Sequence, residues 1–180
     1  MTYYNYSKHN KTATSITIPK FVIKIGKNAF RNCSKLSSIT IPSSVTKIGS
    51  YAFSNCSNLT SISIPNSVTK ICSYAFGICT KLTSIIIPDS VIEVEPRAFM
   101  SCSNLTSISI PSLIKTSAGY INRIFYECSK LSFITTSTPV TEPDYKILLQ
   151  AYKNVTQKYL VSFKEFENEV LRLDPNFKFD

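Results

Sequence analysis

The first 88 of the 180 residues contain no aspartate or glutamate. They do contain ten basic groups: Lys8, Lys11, Lys20, Lys24, Lys27, Arg31, Lys35, Lys47, Lys70 and Lys81. All 11 acids lie in residues 89–180 with the other ten basic groups, so the N-terminal half carries +10 and the C-terminal half −1 of the +9 net charge. Such asymmetry points to an anionic partner on that side, or to a solvated basic face that aids solubility. Glycine is scarce at 4 residues, and the one histidine, His9, sits in an N-terminal tail. Phosphate-cradling loops and histidine-based catalysis are therefore poorly supplied. No run approaches the roughly 18 apolar residues that a membrane span needs. The opening MTYYNYSKHNKTATS has no apolar stretch of the kind that secretion signals carry, so the expected location is cytoplasmic. Disorder is excluded by an apolar content of 43%, enough for a core.

What is there is a repeat. Leu36-Ser-Ser-Ile-Thr-Ile-Pro42 recurs as Leu59–Pro65, Leu82–Pro88 and Leu105–Pro111, at an interval of 23 residues. Counting back 23 from Leu36 reaches Ala13-Thr-Ser-Ile-Thr-Ile-Pro19, while the step from Leu105 to Leu131 takes 26. The copies are 13–35, 36–58, 59–81, 82–104 and 105–130, with three extra residues in the fifth, and a final strand follows at 131–136.

Each position has a physical reading. With Leu36 as position 1, positions 1, 4 and 6 are apolar and positions 3 and 5 are small and mostly polar. That alternation is a strand with one buried face. Proline at position 7 cannot donate to a ladder and ends the strand. Val45 and Ile48 mark a second, short extended piece. Gly26 and Gly49 mark a turn, but Cys72 and Glu95 stand at the same place, so the turn does not strictly require φ > 0. Ser50, Ser73 and Pro96 then suit a helix start, and Ala52, Phe53 and Cys56 fall on one helical face. This predicts a short helical turn closing each copy. One copy cannot bury its own Leu, Ile, Val and Phe, whereas stacked copies can, each adding a parallel strand at about 4.8 Å.

The pattern Leu-x-x-Ile-x-Ile-Pro-x-x-Val-x-x-Ile-Gly-x-x-Ala-Phe-x-x-Cys resembles the BspA-like class of leucine-rich repeats over residues 13–136. The resemblance implies a repeat solenoid of the α/β class, a right-handed parallel β-solenoid. It also implies a protein-binding, adhesin-like, surface antigen-like role, with the cell surface as the alternative location.

Open solenoid ends expose core and sheet edge. Residues 1–12 are expected to form an N-terminal tail or partial cap. Residues 141–180 read as a helical C-terminal cap. Thr141-Glu-Pro-Asp144 resembles a capping box, and Leu148, Tyr152, Val155 and Tyr159 form an amphipathic stripe.

Chemistry is thinly represented. Five of the six cysteines (Cys33, Cys56, Cys79, Cys102 and Cys128) share one repeat position, and Cys72 is the exception. There is no C-x-x-C, and a linear column cannot wrap a tetrahedral ion, so no metal is expected. Parallel side chains on neighbouring strands also favour buried, reduced thiols over disulfides. No G-x-S-x-G occurs. Glu93, Glu95 and the glutamates at 165, 167 and 169 read as solvated charge. The chain is expected to be no enzyme and to need no cofactor.

Two surfaces remain. One is the strand face at positions 3 and 5, with Ser38, Thr40, Ser61, Ser63, Ser84, Ile86, Ser107 and Ser109 at its centre, Ser15 and Thr17 before them and Phe133 and Thr135 after. Leucine-rich repeats commonly bind protein partners there, by analogy. The other is the column Lys24, Lys47 and Lys70, followed by Glu93, which would serve a polyanion such as nucleic acid, an acidic glycan or a membrane surface.

Overall fold

The computed structural model describes Tyr3–Tyr4, residues 11–111 and residues 124–136. Within these the chain winds as a parallel β-solenoid, one coil per copy, with three sides to each coil.

The first side carries the longer strands. β2 (Ser15–Thr17) pairs parallel with β4 (Ser38–Thr40), Ile16 beside Ile39. Further along, β7 (Ser84–Ile86), β9 (Ser107–Ile110) and β10 (Phe133–Thr136) form a second parallel sheet. In copies one to five the isoleucines at positions 4 and 6 face in and positions 3 and 5 face out, as the alternation predicts, the outward side chains being hydroxyls except at Ile86. Phe133 pairs with Ser107, 26 residues away, so the three extra residues of copy five are absorbed outside the ladder.

The second side is a five-stranded parallel sheet of two-residue strands. These are β1 (Tyr3–Tyr4), β3 (Lys24–Ile25), β5 (Lys47–Ile48), β6 (Lys70–Ile71) and β8 (Glu93–Val94). The β-branched residue of each pair from β3 onward points into the core. The pairing of Tyr3–Tyr4 with Lys24–Ile25 carries this sheet one strand beyond copy one.

The third side differs from the helical turn that the sequence predicts. Residues 27–32, 50–55, 73–78 and 96–101 form consecutive tight turns, not helix, and each run of turns ends at the cysteine. The Ala29 N–H donates to Gly26 O at 3.3 Å and the Cys33 N–H to Phe30 O at 3.1 Å. Left-handed residues, Asn28 (φ 60°) and Asn32 (φ 62°), stand third in each of these turns. The intervening N–H groups donate outward: Asn28 to Ser50 O, Phe30 to Ala52 O and Asn32 to Ser54 O, at 3.0, 2.7 and 2.8 Å. A helix would spend these donors within its own turn. Here they tie one coil to the next, and the left-handed residues make that alternation possible.

The core runs the length of the stack. Phe30, Phe53, Phe76 and Phe99 are fully buried. Consecutive rings stack at centroid distances of 5.1, 5.3 and 5.1 Å, and Phe125 continues the column at 5.8 Å. Leu36, Leu59, Leu82 and Leu105 form a parallel buried column. Gly49 is needed for space and not for its dihedral, since a Cβ there would meet Ile25 O at 2.7 Å. The predicted C-terminal cap at 141–180 lies outside the described residues.

Candidate functional site

The long-strand face presents three columns of side chains, at positions 2, 3 and 5. Across copies one to five all of them are Ser or Thr except Ile86. Ser38, Thr40, Ser61, Ser63 and Ser84 are exposed, whereas Ser107 and Ser109 are half-buried. Ile86 is 70% exposed, the most open of the large apolar side chains described. The hydroxyls bond along the columns: Ser38 Oγ donates to Ser15 Oγ at 3.0 Å, and Ser37 Oγ to Thr14 O at 2.9 Å. No charged residue stands in these columns, although the protein carries +9. The result is a neutral, hydroxyl-covered surface with one apolar projection.

This face has a seam. Residues 61–65 lie between β4 and β7 without forming a strand. The N–H of Ile18 donates to Thr40 O at 3.0 Å and that of Ile87 to Ser109 O at 2.8 Å. The equivalent groups of Ile41 and Ile64 make no such bond to the next coil. Ile39 and Ile62 are each 8% exposed, against 1% for Ile108, so the coils stand slightly apart here. Alternation in the sequence is unbroken at this point and carries no sign of the seam.

On the short-strand side, Lys24, Lys47, Lys70 and Glu93 stand in register on neighbouring strands. All four are half-buried. Lys70 Nζ lies 2.7 Å from Glu93 Oε1 and 2.8 Å from Glu95 Oε1. Its hydrogen bonds to the two carboxylates raise its pKa above the ordinary lysine value. Burial pushes the Glu95 carboxyl up, but bonds from Lys70 and Ser73 outweigh this and hold it down at about 2. Glu93 and Glu95 are thus ion-paired and not simply solvated, as the sequence reading had them. They also occupy the third lysine of the column.

The third side holds a feature that sequence reading missed. Tyr51 and Tyr74 stack at 4.6 Å, with the Arg31 guanidinium 5.1 Å from the first ring and that of Arg97 5.7 Å from the second. Arg97 Nη1 also donates to the Tyr74 hydroxyl at 2.7 Å. Writing the copies in register shows the tyrosines and Arg97 as one column, but Arg31 comes from three positions later.

All six cysteines are free and buried. Cys56, Cys79, Cys102 and Cys128 each donate the thiol to a phenylalanine carbonyl of the preceding coil, at 3.0–3.3 Å. Burial pushes the Cys79 thiol up to about 12, far from the thiolate that metal binding or redox exchange requires. Among the described residues no group of three or more His, Cys, Asp or Glu could hold a metal ion. None of their helices is long and apolar enough to cross a membrane.

Coils of 23 residues, a leucine–isoleucine strand and a stacked phenylalanine column together define a leucine-rich-repeat solenoid. The family model of the BspA type leucine-rich repeat region, of six copies, matches residues 2–132 and again 47–172, and the chain belongs to that family. Among solved structures it is similar to a leucine-rich cell surface protein of Faecalibacterium prausnitzii, at 30% identity and TM-score 0.68, covering 74% of this chain and 34% of that one. It is also similar to a leucine-rich repeat protein of Eubacterium ventriosum, at 35% identity and TM-score 0.61, covering 69% and 33%. A leucine-rich repeat protein of T. pallidum shares the fold, at 22% identity and TM-score 0.61, over 77% and 70%. The chain thus spans about a third of the length of the first two. No curated protein matches it.

Proposed function

We propose that the chain is a non-enzymatic protein-interaction module that binds a macromolecular partner through its long-strand face, in an adhesin-like role. The observation that carries this reading is the composition of that face. Every residue in its three columns over five copies is a hydroxyl, except for a fully presented Ile86. Small hydroxyls leave the surface flat and can re-form their hydrogen bonds across an interface, and one large apolar side chain amid near-neutral contacts is how binding energy concentrates in interfaces. A location at the cell surface fits the F. prausnitzii relative, which is a leucine-rich cell surface protein. The cytoplasmic expectation finds no comparable support. The lysine column is the weaker alternative, because Lys70 is already held by two carboxylates.

The test is a binding screen against an array of immobilised surface and matrix proteins. A partner of the strand face should lose binding at least about tenfold when Ile86 is replaced by Lys. It should be lost entirely for Ser61→Arg/Ser84→Arg, with an unchanged circular dichroism spectrum. Binding retained by the folded double variant would remove this face from the function.

A further inference from the structure

We infer that the first coil is a peripheral membrane-docking element, whose occupant is the surface of an anionic lipid bilayer. This does not rest on the strand face, which lies on another side of the solenoid.

The repeat supplies its own control. Copies one and two share a core, so their outward positions can be compared one to one, although among the described residues the one strand before copy one is Tyr3–Tyr4. Where copy two has Ser43, Ser44, Thr46 and Ser50, copy one has Lys20, Phe21, Ile23 and Lys27. In copy two the hydroxyls staple the coils, Ser44 Oγ to Val22 O at 2.7 Å and Thr46 Oγ1 to Ile23 O at 3.3 Å. Copy one instead places two large apolar side chains outward. Phe21 is 65% exposed and Ile23 is 42% exposed, while Val22 between them is fully buried. Lys20 and Lys27 are exposed on either side, and Lys24 and Lys47 stand in register beside them. The nearest acid along the chain is Asp89.

Two projecting apolar groups flanked along the chain by exposed lysines match the chemistry of the lipid–water boundary. Rings and branched alkyl groups enter the headgroup region, while lysine stems lie along it with their ammonium groups toward phosphate. Each lysine near an anionic leaflet strengthens binding by about fivefold. A dissolved polyanion such as heparin would use the lysines but gain nothing from Phe21 or Ile23. The exposed apolar pair therefore favours the bilayer over a soluble polyanion. Copy four provides the contrast: Ile92 is 54% exposed at the position of Ile23, but Glu93 and Glu95 stand beside it where copy one has Lys24 and Gly26.

The experiment is co-sedimentation of the full chain with vesicles of phosphatidylcholine alone or with phosphatidylserine, in parallel with heparin affinity. The unaltered chain should bind only the vesicles that contain phosphatidylserine. Phe21→Ser/Ile23→Thr, the residues copy two itself carries, should lower vesicle binding at least about tenfold and leave heparin retention unchanged. Lys20→Ser/Lys27→Ser should weaken both. Ile92→Thr should leave vesicle binding as it was. No binding of the unaltered chain to phosphatidylserine vesicles would overturn the inference. So would unchanged vesicle binding by the Phe21/Ile23 variant, which would leave a soluble-polyanion surface instead. An equal loss with Ile92→Thr would equally remove the assignment to the first coil.

Discussion

The carboxylate of Glu95 accepts both the backbone N–H and the hydroxyl of Ser73, at 2.8 and 2.9 Å, reaching one coil back along the stack. With Lys70 on the same carboxylate, a residue that stands where the first two coils have glycine becomes a clamp between copies three and four. The clamp also stands where the lysine column on the short-strand side gives way to Glu93.

The clamp has a pH signature. The folded-state value of Glu95, about 2, lies below its ordinary 4.5. Its contribution is therefore complete above about pH 4.5 and is lost as the pH falls towards 2. Glu95→Gln should lower stability by about 1–2 kcal/mol at pH 7, well short of the full shift because water reaches the ion pair. At pH 2 the variant and the parent should differ much less. Urea unfolding at both pH values checks this, and an undiminished gap at pH 2 would contradict it.

The phenylalanine column should dominate stability. Phe76 is fully buried between Phe53 and Phe99, so Phe76→Ala should cost about 3–5 kcal/mol. Ser63 is exposed on the strand face, and Ser63→Ala should cost under about 0.5 kcal/mol. Comparable losses in thermal or urea unfolding would show that the coils are not stacked in this register.

The seam should be visible in amide exchange. Ile18 and Ile87 donate their N–H groups to the next coil, whereas Ile41 and Ile64 do not. The last two should exchange faster under native conditions, although all four side chains belong to the core. Equal protection at the four amides would mean that the strand face is continuous in solution.

The sequence by itself determined the solenoid. The strict interval, the alternation Leu-x-x-Ile-x-Ile and an invariant phenylalanine leave no other way to bury those side chains than to stack the copies. It also determined which strand positions face outward, since alternation assigns every residue of an extended segment to one side or the other. Tertiary structure decided what depends on distances between coils. Whether the Ala-Phe-x-x-Cys segment becomes helix or turn is not a local choice, because its donors are satisfied by the neighbouring coil. The helical reading failed for that reason. Lys70 looked like the third member of a basic strip until the backbone brought Glu93 beside it and let Glu95 fold back onto it. The seam between Thr40 and Ser84 is equally invisible in a sequence whose period holds at 23 through that stretch, because it arises from how closely successive coils approach.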